Sequence, residues 1–297
     1  MRKIEDLPMI SVCIPTYRYD VRPLLEELFK QAEEFPGAFE FLVYDDASPE
    51  PAAYGQTELA KMERIKYVRL AENIGRAAIR NKMAKEATHD YLLLLDADGW
   101  PAPDFLNDYL ITQEHLWRGP EKVAVGGRRY AKQVPAPAFR LHWYYGKKRE
   151  SASASKRNEA PYLGFQSNNF LVERSVLLAH PFSEKVEGYG HEDTLWGQQL
   201  AKAGVAILHV DNPVIHLGLE INRVFLEKQR RAIHNLRLLK KQTPHLRTRL
   251  IDLAENYPRL TQLARYLPEG PLLKRLEKEP PSLYLLDLLK LKWWLKA

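Results

Sequence analysis

The chain alternates short apolar runs with stretches whose apolar residues recur every three or four positions. Residues 9–17 contain a β-branched run ended by Pro15, after which Leu24, Leu25, Leu28 and Phe29 fall at helical spacing. Residues 39–46 give a second strand closing on Asp45 and Asp46. A helix over 56–64, a strand over 65–70 and a helix over 73–87 that opens on Asn73-Ile74-Gly75 complete this part. Five consecutive bulky residues, 91–95, read as a strand buried on both faces, as in the middle of a parallel sheet. Alternation of this length predicts a right-handed, mainly parallel α/β sheet with ligand contacts at the strand carboxyl ends.

Beyond residue 98 the pattern loosens. Pro101 and Pro103 precede a helix over about 104–116, and 123–127 resembles another strand. Residues 146–160 are polar and small, which predicts a mobile loop, either a substrate lid or a solvated insertion. A strand lies within 165–172, and Gly188-Tyr189-Gly190-His191 leads to Glu192, Asp193 and a helix over 194–200. Residues 205–210 and 214–216 read as closing strands. From 219 onward Phe225, Ala232, Ile233, Leu236 and Leu239 recur at helical spacing with basic residues opposite. The predicted division is therefore a domain over 1–218 and a helical extension over 219–297.

A hydrophobic content of 45% is ample for a packed core, which excludes global disorder. The single cysteine, Cys13, lies in an apolar strand, so neither a disulfide framework nor a cysteine metal cluster is expected, and a core role is. No signal peptide is read at the amino end, and no segment offers the ~20 apolar residues of a spanning helix. A cytoplasmic location is the expectation. Residues 219–297 carry 17 Lys and Arg against 8 Asp and Glu, net +9, which leaves the first 218 residues at −3. That basic tail also holds Leu285, Leu286, Leu288, Leu289, Leu291, Trp293, Trp294 and Leu295, a composition suited to lipid and not to nucleic acid. Residues 282–297 accordingly predict a peripheral contact with the inner face of a membrane, against the alternative of a terminal helix packed on the protein itself.

Asp96-Ala97-Asp98 ends the central strand, and on an extended backbone two carboxylates spaced by one residue face one side, where they suit a cation or a cation-bridged diphosphate. Arg76 and Arg80, four apart on one helix, present guanidinium groups to a common side for phosphate or a base.

Taken in order, Ile14-Pro15-Thr16-Tyr17, Asp45-Asp46-Ala47-Ser48, Asn73-Ile74-Gly75 with Arg80-Asn81, Asp96-Ala97-Asp98, Glu192-Asp193 and Val214-Ile215-His216 resemble the inverting nucleotide-sugar glycosyltransferases of family 2. The resemblance covers residues 8 to about 217. It implies a GT-A fold and transfer of a sugar from a nucleoside diphosphate, a UDP-sugar above all, to a glycan or lipid-linked acceptor in bacterial surface glycan synthesis. By the same resemblance Pro15, Tyr17, Asp45, Asp46, Asn73, Arg76, Arg80, Asp96 and Ala97 contact the nucleotide sugar. Asp98 and His216 would hold manganese or magnesium, Asp193 would be the general base, and Glu192 would orient the acceptor. The chain departs from the family at Arg18, where asparagine is common, and at His191, where glycine often precedes the acidic pair. The Gln-x-x-Arg-Trp signature of processive synthases is absent, which favours addition of one sugar.

Two other readings remain open on sequence. The stretch from Leu94 to Gly99 also resembles the first motif of haloacid-dehalogenase-like phosphatases, with Asp96 as nucleophile, though about 90 residues precede it and no later Gly-Asp-x-x-x-Asp cluster occurs. The same fold would also suit a glycan- or nucleotide-binding module without catalysis.

Overall fold

The computed structural model describes residues 9–184, 190–278 and 280–296. Gly188 and Tyr189 of the expected turn, and the amino-terminal residues before Met9, lie outside the described residues. In chain order the elements are β1 (Ile10–Thr16), α1 (Arg22–Ala32), β2 (Phe39–Asp45), α2 (Gln56–Leu59), β3 (Lys66–Arg69), α3 (Gly75–Glu86), β4 (Tyr91–Leu95), β5 (Gly99–Trp100), α4 (Phe105–Arg118), β6 (Glu121–Val125) and β7 (Arg128–Arg129). There follow α5 (Arg140–Tyr145), α6 (Ala154–Asn158), β8 (Asn169–Glu173), α7 (Arg174–Ala179), α8 (Glu192–Ala203), β9 (Ala206–His209) and β10 (Val214–His216). The chain closes with α9 (Asn222–Gln242), α10 (Arg249–Asn256), α11 (Pro258–Ala264), α12 (Glu269–Leu276) and α13 (Leu283–Lys296).

Among the described residues, seven strands form one sheet in the order β3-β2-β1-β4-β8-β6-β9, and β5-β10-β7 form a small second one. Only β8 runs against its neighbours in the large sheet, so β6 ends at the same edge as β4. Side chains alternate between two apolar layers. Val12, Ile14, Val43, Leu93 and Leu95 meet α1 and α4 on one face, while Cys13, Leu42, Leu92 and Leu94 meet α3, α7 and α8 on the other. Burial of such side chains contributes about 1.5–3 kcal/mol apiece, which fixes the register of β4 and hence the place where its last residue leaves the sheet. Cys13 takes the core position expected of it.

Pro15 does not end β1. The Thr16 carbonyl accepts from the Asp46 N–H at 2.9 Å, so even-numbered backbone groups face β2 and odd-numbered ones face β4. The β4 ladder stops at Cys13, and Pro15 forfeits no bond there. Of the helix expected over 56–64 only α2 forms, since Leu59 is buried but Lys61, Glu63 and Arg64 provide no apolar stripe to extend it.

The segment 146–160 is a correction to the expected loop. It forms a π-type turn over Gly146–Glu150 and then α6, anchored by Arg157. That buried guanidinium donates to the carbonyls of Val125, Gly126, Ala152 and Val210, which ties the segment to the ends of β6 and β9.

The carboxyl-terminal helices share their core with the rest of the chain. Leu141 of α5 packs with Phe225, Leu226 and Ile233 of α9 and with Leu286, Leu289 and Trp293 of α13. Leu195 of α8 packs with Leu236, Leu239 and Ile251. This accounts for half of the leucines and tryptophans that suggested lipid, while Leu285, Leu288, Trp294 and Leu295 are half-buried. Leu283, Leu286, Leu289, Leu291 and Trp293 are buried against protein, Lys292 donates to the Arg265 carbonyl at 2.7 Å and Trp293 to Glu269 at 2.9 Å. The absence of one clean polar face is the pattern of a helix enclosed by other helices. No described helix is long and apolar enough to cross a membrane.

Candidate active site

β4 stops at Leu95, and the Gly99 N–H closes a tight turn onto the Asp96 carbonyl at 3.0 Å. Strand alternation therefore does not govern the two carboxylates, and their partners differ. Asp96 accepts from the buried Arg80 at 2.8 Å, whereas Asp98 lies 3.4 Å from His216 Nδ1. β5 and β10 bring about the second contact: Gly99 pairs with His216 across them, and the Leu217 N–H donates to the Asp98 carbonyl at 2.8 Å. A Cβ on Gly218 would stand 2.1 Å from Asp98 Oδ2, so glycine there is a condition of the carboxylate's position. Burial raises the Asp98 carboxyl, but His216, with Arg128 and Arg76 beyond it, outweighs burial and holds it below the usual carboxylate range.

Behind His216 stands a buried group that carries no recognisable motif. Tyr130 and His142 approach the His216 ring edge-on and tilted, at 5.4 and 5.5 Å between centroids. His142 accepts at Nδ1 from the Glu220 N–H at 3.0 Å, which leaves its proton on Nε2, and burial together with His216 pushes its pKa down to about 4. The Tyr130 hydroxyl donates to Glu150, and Arg128 lies 3.5 Å from the same carboxylate. Arg128 follows β6 at the edge where β4 ends, so the rule that found Asp98 would have found it too.

α8 begins at the acidic pair itself, two residues before the expected start. His191, its N-cap, has φ 72°, and Arg18 has φ 52°, both in the left-handed region that favours glycine and asparagine. The two departures from the family pattern thus sit where the family's own residues cost least. Glu192 lies 3.7 Å from Arg76. Asp193 accepts from the Thr194 N–H at 2.7 Å, and burial with Glu192 beside it raises its carboxyl to about 6.

One cavity of about 700 Å³ is lined by Arg76, Asp96, Asp98, Glu192, Asp193 and His216, and also by Arg128, His142 and Glu150. Pro15, Tyr17, Asp45, Asp46, Asn73, Arg80 and Ala97 do not line it. Asp46 receives the Ile74 and Gly75 N–H groups at 2.7 and 3.0 Å and so closes the amino end of α3, while Asn73 donates to the Asp46 carbonyl at 3.0 Å. Asp45 is buried, accepts from Ser48 at 2.5 Å and keeps Oδ2 without a hydrogen-bond partner. Ser48 in turn receives the Arg18 N–H at 2.7 Å, which joins the Tyr17 loop to the acidic turn. Ala97 packs on the core.

Among the described residues no three His, Cys, Asp or Glu side chains gather as a wholly protein-built metal site requires. A carboxylate beside an imidazole suits manganese or magnesium when a diphosphate and water complete the shell.

Three of the solved structures that the protein resembles, all at low identity, show the likeness. The mannosyltransferase PcManGT from Pyrobaculum calidifontis, in complex with GDP-Man and Mn2+, matches with TM-score 0.60 and 17% identity over 99% of this chain and 88% of that one. Mannosyl-3-phosphoglycerate synthase from Rubrobacter xylanophilus gives 0.57 and 16% over 82% and 77%. Glucosyl-3-phosphoglycerate synthase from Mycobacterium tuberculosis, with Mn2+, UDP and glucosyl-3-phosphoglycerate, gives 0.51 and 16% over 81% and 84%. These likenesses show the GT-A fold. In sequence, the protein named "Putative glycosyltransferase EpsH" of Bacillus subtilis (strain 168) is 28% identical over 109 residues, 36% of this chain, and the match spans 31% of EpsH. The description of Glycosyl transferase family 2 matches residues 11–177, more than half of the chain, which therefore belongs to that family of glycosyltransferases.

Proposed function

We propose that the protein transfers a single sugar, with inversion, from a nucleoside diphosphate donor, a UDP-sugar in the first instance, to an acceptor hydroxyl of the kind built into bacterial surface glycans. What supports this reading is one cavity bordered both by Asp98 with His216 and by Glu192 with Asp193. A divalent ion held by Asp98 and His216 would supply charge stabilisation for the departing diphosphate. Arg76 and Arg128 add cationic charge at the same end. The acceptor hydroxyl has a pKa far above neutrality and attacks only as its proton leaves. Asp193, ionised at neutral pH with its carboxyl near 6, takes that proton. Glu192 orients the hydroxyl, and its contact with Arg76 links the acceptor side to the first turn of α3.

The phosphatase reading requires Asp96 free as a nucleophile, whereas Arg80 holds it at 2.8 Å. A panel of UDP-, GDP- and dTDP-sugars with and without manganese, scored by nucleotide release, tests the proposal. Release from one donor class is expected, with product of inverted anomeric configuration. No release from any donor, or retained configuration, refutes it.

A further inference from the structure

The cavity continues away from Asp98 between α9, α10 and α13, and charge is unequally matched there. Each carboxylate at that end is already taken. Glu220 pairs with Lys228, Asp287 with Arg149 at 2.6 Å, and Asp252 with Arg247 at 2.7 Å. Lys290 and Arg249 also border the cavity, and neither has a carboxylate partner among the described residues. Lys290 is only 9% exposed; its ammonium donates to the Tyr145 hydroxyl at 3.2 Å and lies 4.4 Å from that ring's centroid. An aromatic face offsets part of the cost of burying an ammonium, and a counter-charge offsets much more. Arg249 is exposed on the cavity rim at the first position of α10, with a planar fork that fits an oxyanion.

We propose that this end of the cavity is the acceptor site and that the acceptor is an anion, its phosphate or carboxylate held by Lys290 and Arg249. This rests on the glycosyl-transfer reading of the same cavity. At the opposite end the donor diphosphate of the proposed reaction, with Glu192 and Asp193 beside it, leaves no place for a second anion. The acceptor is thereby oriented, charge toward α13 and hydroxyl toward Asp193. A neutral glycan would leave Lys290 without a counter-charge and gain nothing from the polarity of the cavity.

Calorimetric titration of the full chain in metal-free buffer tests this, with methyl glucoside, glucose 6-phosphate and glucuronate as probes. At least one of the two anions binds and methyl glucoside does not; the stronger anion identifies the group recognised. Arg249→Gln and Lys290→Gln each weaken binding by about tenfold or more, as expected for loss of a charged hydrogen-bond partner. Lys241→Gln, an exposed cation on α9 that does not border the cavity, leaves binding unchanged. Should the buried Lys290 variant fail to fold, surface Arg249 still decides. Flotation with phosphatidylglycerol vesicles that is lost in Arg249→Gln assigns the oxyanion to a lipid headgroup, and soluble binding alone to a free acceptor. Equal binding of methyl glucoside and the anions, no binding of either anion, or affinity untouched in both variants overturns the proposal. No donor is present, so the outcome does not depend on whether the chain transfers a sugar.

Discussion

Asp98 and His216 stand 3.4 Å apart because β5 and β10 pair antiparallel, with Gly99 opposite His216. The carboxylate is placed by a turn after the central strand, and the imidazole by the last strand of the second sheet. Their pairing predicts metal dependence. Chelation should abolish transfer and manganese or magnesium restore it, and Asp98→Asn should lose about 10²-fold or more in rate and require more metal for half-maximal activity. Full activity in excess chelator would remove the role assigned to Asp98.

Gly218→Ala tests the same pairing without replacing a charged group. Its Cβ would meet Asp98 Oδ2 at 2.1 Å, so the carboxylate must swing away from His216. Metal affinity should fall with Tm changed by only a few degrees. Unaltered metal response would show that the carboxylate has room to yield.

Asp193→Asn should keep donor binding and lose roughly 10²–10⁴-fold in transfer. In the parent enzyme the rate should rise with pH through about 6, as the carboxyl ionises. Stability runs the other way. The folded pKa lies above the usual value near 3.8, so the folded state holds the extra proton between about 4 and 6, and the contribution is full below 4 and lost as pH rises through 6. Asp193→Asn should therefore be more stable than the parent above pH 6, by on the order of 1–3 kcal/mol. Thermal melts at pH 4.5 and 7.5 read this directly; a gain at the lower pH alone contradicts it.

Arg18→Asn should raise stability by about 1 kcal/mol, since asparagine tolerates the left-handed backbone that arginine occupies at φ 52°. Denaturant unfolding measures it. A loss of stability would mean that the Arg18 guanidinium, 5.2 Å from the Tyr17 ring centroid, outweighs the backbone cost.

Leu286→Ala should cost about 2–5 kcal/mol, the range for a buried leucine replaced within a packed core. Truncation after Pro281 should unfold the neighbouring helices and not merely release a soluble enzyme. Near-parental melting of the truncated chain would return α13 to the surface.

Strands β1, β2, β4 and β6 were legible as apolar runs because burial on both faces leaves no polar alternation to confuse the pattern. Asp98 was legible as a position following such a run, whereas His216 and Asp193 were singled out by the resemblance to family 2. The separate partners of Asp96 and Asp98 were not legible, since they depend on a turn closed by the Gly99 backbone, which side-chain identity does not encode. The burial of α13 was hidden for a different reason. A helix enclosed by protein and one lying in lipid need the same leucines, and only partners such as Arg265 and Glu269 tell them apart. Tyr130, His142 and Glu150 have no mutual spacing along the chain and come together only when α5 and the turn after it fold beneath β10.

The small sheet of β5, β10 and β7 bears on vectorial synthesis. β5 leaves the ribosome long before β10, so a nascent chain can complete most of its large sheet while Asp98 still lacks His216. The distal wall of the cavity arrives later still, with α9 to α13. A chain interrupted near residue 210 would lack His216 altogether, and Leu141 and Leu195 would be without the partners that α9 to α13 bring.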